Sequence, residues 1–139
     1  MRSNFMANLS DEAIEVLVDR FSATPSPLSA VIVEHCHGAI TRVAPDATAF
    51  GLRRNPYHLE ILGFWDGAEH SPANLGWVTD FFGALHPYDA GEVYVNSLDE
   101  GEGHRVREAY WRNYDRLAAL KPKFDPTNFF RCNQNIAPS

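Results

Sequence analysis

The sequence predicts an α+β fold, an antiparallel β-sheet flanked by helices, and three observations predict it. Helix-type and strand-type segments alternate in the order αβ, β, αβ, α, followed by a tail. The connections are short, which suits neighbouring antiparallel elements better than long crossovers. One strand candidate alternates in hydropathy, as a sheet covered on a single face requires.

The elements follow in chain order. "LSDEAIEVLVDRF" (9–21) opens with Ser10 as an N-cap, places Asp11 and Glu12 at the positive end of the helix dipole, and repeats Ile14, Leu17, Val18 and Phe21 along one stripe. "TPSP" (24–27) ends it. The β-branched "LSAVIVEHC" (28–36) reads as a strand. In "PYHLEILGFW" (56–65), Tyr57, Leu59 and Ile61 share one strand face, and His58, Glu60 and Leu62 the other. "SPANLGWVTDFFGALHPY" (71–88) starts a helix at Ser71 and Pro72 and stops before Pro87. "GEVYVNSL" (91–98) is expected as a third strand. After the acidic loop "DEGEG", "HRVREAYWRNYDRLAALKPKF" is expected as one long amphipathic helix ending at Pro122. Three strands make a small sheet, one not expected to be complete alone.

Composition narrows the function. The 139 residues carry a net charge of −6, the wrong sign for the basic face that nucleic-acid binding needs. No apolar run nears the roughly 20 residues that cross a bilayer, and the first 15 residues lack a signal-peptide core. Two cysteines, Cys36 and Cys132, do not make a disulfide framework. A cytoplasmic protein that binds neither nucleic acid nor membrane is the expectation.

The candidate chemistry is sparse. "HCHG" (35–38) gathers two His and a Cys, but adjacent strand residues point to opposite faces and no partner motif stands elsewhere, so no metal site is expected. Neither cysteine lies in a nucleophile motif, and no phosphate-cradling glycine loop is present. His58 and Glu60, two apart on one strand face, could take and relay a proton, or could be the solvated face of the sheet. Tyr94 and Asn96 sit side by side in "VYVN", either as a site for a planar hydrogen-bonding ligand or as ordinary strand polar residues. The tail "FDPTNFFRCNQNIAPS" combines Phe129 and Phe130 with three amides, Asn133, Gln134 and Asn135. Aromatic content argues against a frayed end, and the amides offer both donors and acceptors to a polar, planar surface.

Together, "GEVYVN", the acidic glycine loop and "YWRNYDRLAALKPKFDPTNFFRCNQNI" resemble the carboxy-terminal segment of berberine bridge enzyme-like FAD-linked oxidoreductases. "SNFMANLSDEAIEVLV" and "HGAITRVAPDATAFGLR" resemble that family's substrate domain, so the likeness spans nearly the whole chain. The resemblance implies a partial substrate-binding domain over 1–98 and the berberine-bridge-enzyme-like segment over 99–139, packed as one compact unit. It implies FAD as cofactor, with Tyr94, Asn96, Asn133, Gln134 and Asn135 beside it. Tyr94, His58 and Glu60 become the catalytic candidates for oxidising a small organic substrate. Where several relatives carry a second tyrosine after Y-x-N, here stands Ser97, too weak a base unaided. Nothing in the chain resembles the family's flavin-binding domain. The chain is therefore expected to work with a separate FAD-binding domain or subunit, or to survive as a dimerising or ligand-binding module. An isolated chain is expected to form a homodimer through Phe129, Phe130 and Trp111.

Overall fold

The computed structural model describes residues 1–99, 101–132 and 134–138. Its sheet has three antiparallel strands, β1 (Arg2–Met6), β2 (Ala30–His35) and β3 (Tyr57–Leu62), in the order β1-β3-β2. The register sets Phe5 and Glu34 on either side of His58, and Ser3 and Ile32 on either side of Glu60. Helices α1 (Asp11–Ser22) and α3 (Ser71–Ala84) cover one face, while the short α2 (Ala39–Arg42) follows β2. The carboxy-terminal part contributes α4 (Val106–Tyr110) and α5 (Tyr114–Phe124).

The core lies between the sheet and α1/α3. Leu59 and Ile61 of β3 and Met6 of β1 meet Ala13, Trp77, Val78, Phe81 and Leu85, which are all buried. The alternation read in residues 56–65 is thus realised, with Leu59 and Ile61 facing the helices. A side chain at Gly63 would come within 2.8 Å of Val78 Cγ2, so glycine is what lets the end of β3 run close under α3. Ser10 caps α1 by accepting from the Ala13 amide.

Five local readings need correction. The first strand, β1, is absent from the sequence reading, because polar "RSN" masks a segment whose Ser3 and Asn4 are nonetheless buried. Residues 91–98 do not form a strand. The segment is tied to β1 by the Phe5 amide on Glu92 O and the Ala90 amide on Phe5 O, then tightens into a 3₁₀ turn at Val95–Ser97. The stripe Ile14/Val18/Phe21 of α1 is solvent-exposed, at 43, 61 and 41%. Small Ala13 lets the helix approach the sheet on a neighbouring face, with Val16 and Leu17 packed against the core. The expected long helix is broken at Trp111, whose φ of 47° and ψ of −127° lie outside the helical region. Pro122 falls inside α5, two residues before its end, rather than terminating it.

The 99–138 part packs onto the rest. Arg2 bonds Asp99 and Glu102, the Asn113 amide donates to Pro45 O at 2.8 Å, and Gln134 donates to Leu98 O. Val93, Leu98, Val106 and Ala109 form a second small core under Tyr110, Tyr114 and Ile136.

Candidate functional site

The sheet face away from α1 and α3 carries the even-numbered side chains of β3. His58 is 4% exposed, so the solvated-face alternative fails for it. Its ring stacks on Phe5 at 4.7 Å and meets Tyr94 edge-on at 5.8 Å. Nδ1 bonds Glu34 Oε2 at 2.9 Å, while Nε2 is buried with no partner among the described residues. Glu60 does not pair with His58. It accepts from the hydroxyl of Ser97 at 2.8 Å. The two residues singled out together therefore hold separate partners, Glu34 from β2 and Ser97 from the 3₁₀ turn.

Tyr94 and Asn96 do come together: Asn96 Nδ2 donates to Tyr94 Oη at 2.9 Å. Phe50 meets the Tyr94 ring edge-on at 6.1 Å, and the Arg53 guanidinium lies over Phe50. Tyr94 links the two halves of the site, touching His58 through its ring and Asn96 through its hydroxyl. Below it, buried Glu92 is held by Arg54 and Asn55, and the Arg54 guanidinium stacks on Trp111 at 4.1 Å.

Beside this cluster opens a pocket of about 720 Å³ lined by Val95, Asn96, Leu98, Asp99, Gly101, Gly103 and Gln134. That volume suits a small organic group or one end of a cofactor. Asn96 and Gln134, 38 residues apart in sequence, reach the same pocket. Asn135 instead lines a separate hollow of about 300 Å³ with Phe124, Phe130 and Ile136, and its Oδ1 is buried without a partner among the described residues. Asn133 lies outside the described residues. Phe129 and Phe130 are not buried as their composition suggests: each is 76% exposed. Their backbone is nonetheless fixed, because Asp125 accepts from both amides and pairs with Lys121 at 2.7 Å.

At the pocket rim the carboxylates are paired: Asp99 with Arg2 and the amino terminus, and Glu102 with Arg2 and Arg105. Burial pushes the Glu102 carboxyl up, but the Asp99 amide, Arg105 and Arg2 outweigh it and hold it below the usual range. Glu102 therefore stays ionised beside Asp99. The amides of Asn96 and Gln134 have the donors and acceptors that the ring edge of a flavin would need, and no phosphate cradle stands among the described residues.

Sequence reasoning missed Glu34 and the Ser97–Glu60 bond. Glu34 stands in a β-branched run where a lone carboxylate reads as surface, and only the register of β2 on β3 brings it to His58.

Fold and cleft define an α+β domain with a pocket whose wall carries the amides of Asn96 and Gln134. The comparisons name its kind. Residues 93–137 match the family described as berberine and berberine like. An uncharacterised FAD-linked oxidoreductase of Bacillus subtilis is 38% identical over 102 residues, covering 73% of this chain and 23% of the relative. A xylooligosaccharide oxidase of Thermothelomyces thermophilus is 34% identical over 111 residues, covering 74% and 22%. The solved structure of a berberine bridge enzyme-like protein of Arabidopsis thaliana superposes with a TM-score of 0.87 at 24% identity, over 99% of this chain and 33% of that one. Residues 93–137 thus carry the berberine bridge enzyme-like segment, the chain as a whole is similar to FAD-linked oxidoreductases that contain it, and it spans about a quarter of the length of the curated relatives it matches.

Proposed function

We propose that this chain is the substrate-domain portion of an FAD-dependent oxidase acting on a small organic substrate, with the flavin-binding domain supplied by another chain or segment. In this reading residues 1–98 form part of the substrate-binding domain and 99–139 the segment that returns to the flavin domain, and the assembly works in the cytoplasm. The carrying observation is that Tyr94 packs on His58, over the sheet face that also carries Glu60, and bonds Asn96, which lines one pocket with Gln134.

A bound flavin would supply the hydride acceptor, and the protein's task would be to orient the substrate and move its proton. Asn96 donates to Tyr94 Oη, which leaves the phenol its own proton to give to a substrate oxygen or nitrogen. Glu60 accepts from Ser97 and retains further acceptor capacity for a substrate proton, as does His58 through Nε2. Tyr94, Asn96, Asn133, Gln134 and Asn135 are the candidates for holding the flavin, Asn96 and Gln134 from the shared pocket and Asn135 from the neighbouring hollow. A titration of the purified chain with FAD, followed by flavin absorbance and fluorescence, tests this first. Saturable binding with a spectral change supports a usable flavin surface. If FAD does not bind, and adding the flavin domain of a relative restores no substrate-dependent flavin reduction, the reading fails.

One observation favours a second reading, a non-catalytic dimerising or ligand-binding module of the same ancestry. Ser97 stands where a base is expected, and the exposed Phe129–Phe130 pair offers a contact surface.

A further inference from the structure

We propose that Glu34 is a positioning residue for His58, fixing the ring so that the buried Nε2 is its bare acceptor nitrogen. The inference rests on His58 belonging to the proposed cleft, and goes beyond it by assigning the residue that orients it. An ionised carboxylate only accepts hydrogen bonds, so the 2.9 Å contact requires the proton on His58 Nδ1. In the neutral ring Nε2 is then a bare acceptor. It is also buried and without a partner among the described residues, an arrangement that costs free energy unless a ligand or water supplies a donor.

Every element around the ring agrees with this assignment. From β1, Phe5 stacks on the ring and brings no charge. From the 91–98 segment, Tyr94 presents its ring edge-on while its hydroxyl is engaged by Asn96. On β3 itself, Glu60 is bonded to Ser97. From the β2 side, Cys36 lies near Glu34, and burial first, then the Glu34 charge, push its thiol up, so it stays neutral. Glu34 is the one anion hydrogen-bonded to the ring among the described residues. With its side chain 60% exposed it keeps its charge without the penalty of a buried ion. The hydrogen-bonded carboxylate holds the ring as second partners hold catalytic or metal-bound imidazoles.

The test is a long-range ¹H–¹⁵N correlation spectrum of the ring nitrogens in the ¹⁵N-histidine-labelled chain at alkaline pH, with His58→Gln used to assign the signals. The wild-type ring is expected as the Nδ1–H tautomer. In Glu34→Ala the tautomer ratio should move toward Nε2–H by about tenfold, equivalent to ~1.4 kcal/mol. Glu34→Gln, whose carbonyl still accepts, should keep the wild-type form. An Nε2–H ring in the wild type overturns the assignment, as does an unchanged ratio in Glu34→Ala. Because the wild-type spectrum alone decides the tautomer, misfolding of a variant does not protect the proposal. The readout needs no flavin, so its failure is distinct from a failure of the oxidase reading, which would appear as absent FAD-dependent turnover.

Discussion

At the scale of single residues, the least expected conformation is that of Trp111. A bulky side chain at φ 47° and ψ −127° lies in a sparsely populated region and is strained, by roughly 1–3 kcal/mol. Its compensation is visible: Arg54 and Arg112 both stack on the indole, at 4.1 and 4.4 Å. Contacts of this kind contribute about 0.5–1 kcal/mol each at exposed sites, enough to offset most of the strain. Trp111→Gly should therefore leave the melting temperature close to wild type, since strain and stacking leave together. Trp111→Ala keeps the strain and loses the stacking, so it should be less stable than the glycine variant by ~1 kcal/mol. Thermal unfolding of the two variants decides the matter: an alanine variant as stable as the glycine one would mean the backbone is not strained there. Residues like Trp111 explain why parts of the site were not legible in sequence. Tyr94 and Asn96 were visible as a pair because they are neighbours in the chain. Glu34 with His58, Ser97 with Glu60 and Arg54 with Glu92 are separated by 24, 37 and 38 positions, and no local pattern announces them.

At the scale of elements, legibility followed the strength of the local signal. The cap at Ser10 and the alternation of β3 are local rules, and both were realised. β1 was missed and 91–98 overread for one tertiary reason: the antiparallel partner of β3 is the polar-looking segment at the amino terminus, which leaves "GEVYVNSL" to cross the face and turn. The turn after α5 shows the same dependence on side-chain bonding. Lys121 first, and then the Phe129 and Phe130 amides, hold the Asp125 carboxyl below its usual range despite partial desolvation. A depressed carboxylate stabilises the fold fully above its unfolded value of about 3.9, and that stabilisation is lost as pH falls through the lower folded value. Hydrogen-exchange protection of the Phe129 and Phe130 amides should persist down to that ordinary range and vanish only below it. In Asp125→Ala protection should already be weak at neutral pH. Equal protection in both proteins would show that the turn is held by something other than this carboxylate.

At the scale of the whole molecule, the hydrophobic surface is unevenly distributed. Phe124, Phe129 and Phe130 are 73, 76 and 76% exposed, Leu120 beside them is 38% exposed, and the turn that carries the last two rings is fixed by Asp125. A preorganised aromatic patch of this kind marks a contact surface. In the full-length reading its partner is the flavin domain, and in an isolated chain a second copy is the available substitute. Burying a phenylalanine contributes roughly 1.5–3 kcal/mol, so the Phe129 and Phe130 rings of two copies would contribute about 6–12 kcal/mol. The loss of rotational and translational freedom opposes this with about 4–15 kcal/mol. The two terms nearly cancel, and the expected dimer is weak and concentration-dependent. Sedimentation over a wide concentration series should show the shift from monomer to dimer, and a Phe129→Ser, Phe130→Ser double variant should remain monomeric throughout. Addition of a relative's flavin domain should shift the wild-type chain out of the homodimer if both partners use this patch. A wild-type chain that stays monomeric across the series would rule out self-association. A dimer that survives the double variant would move the interface elsewhere, with the exposed Ile14, Val18 and Phe21 face of α1 as the next surface to mutate.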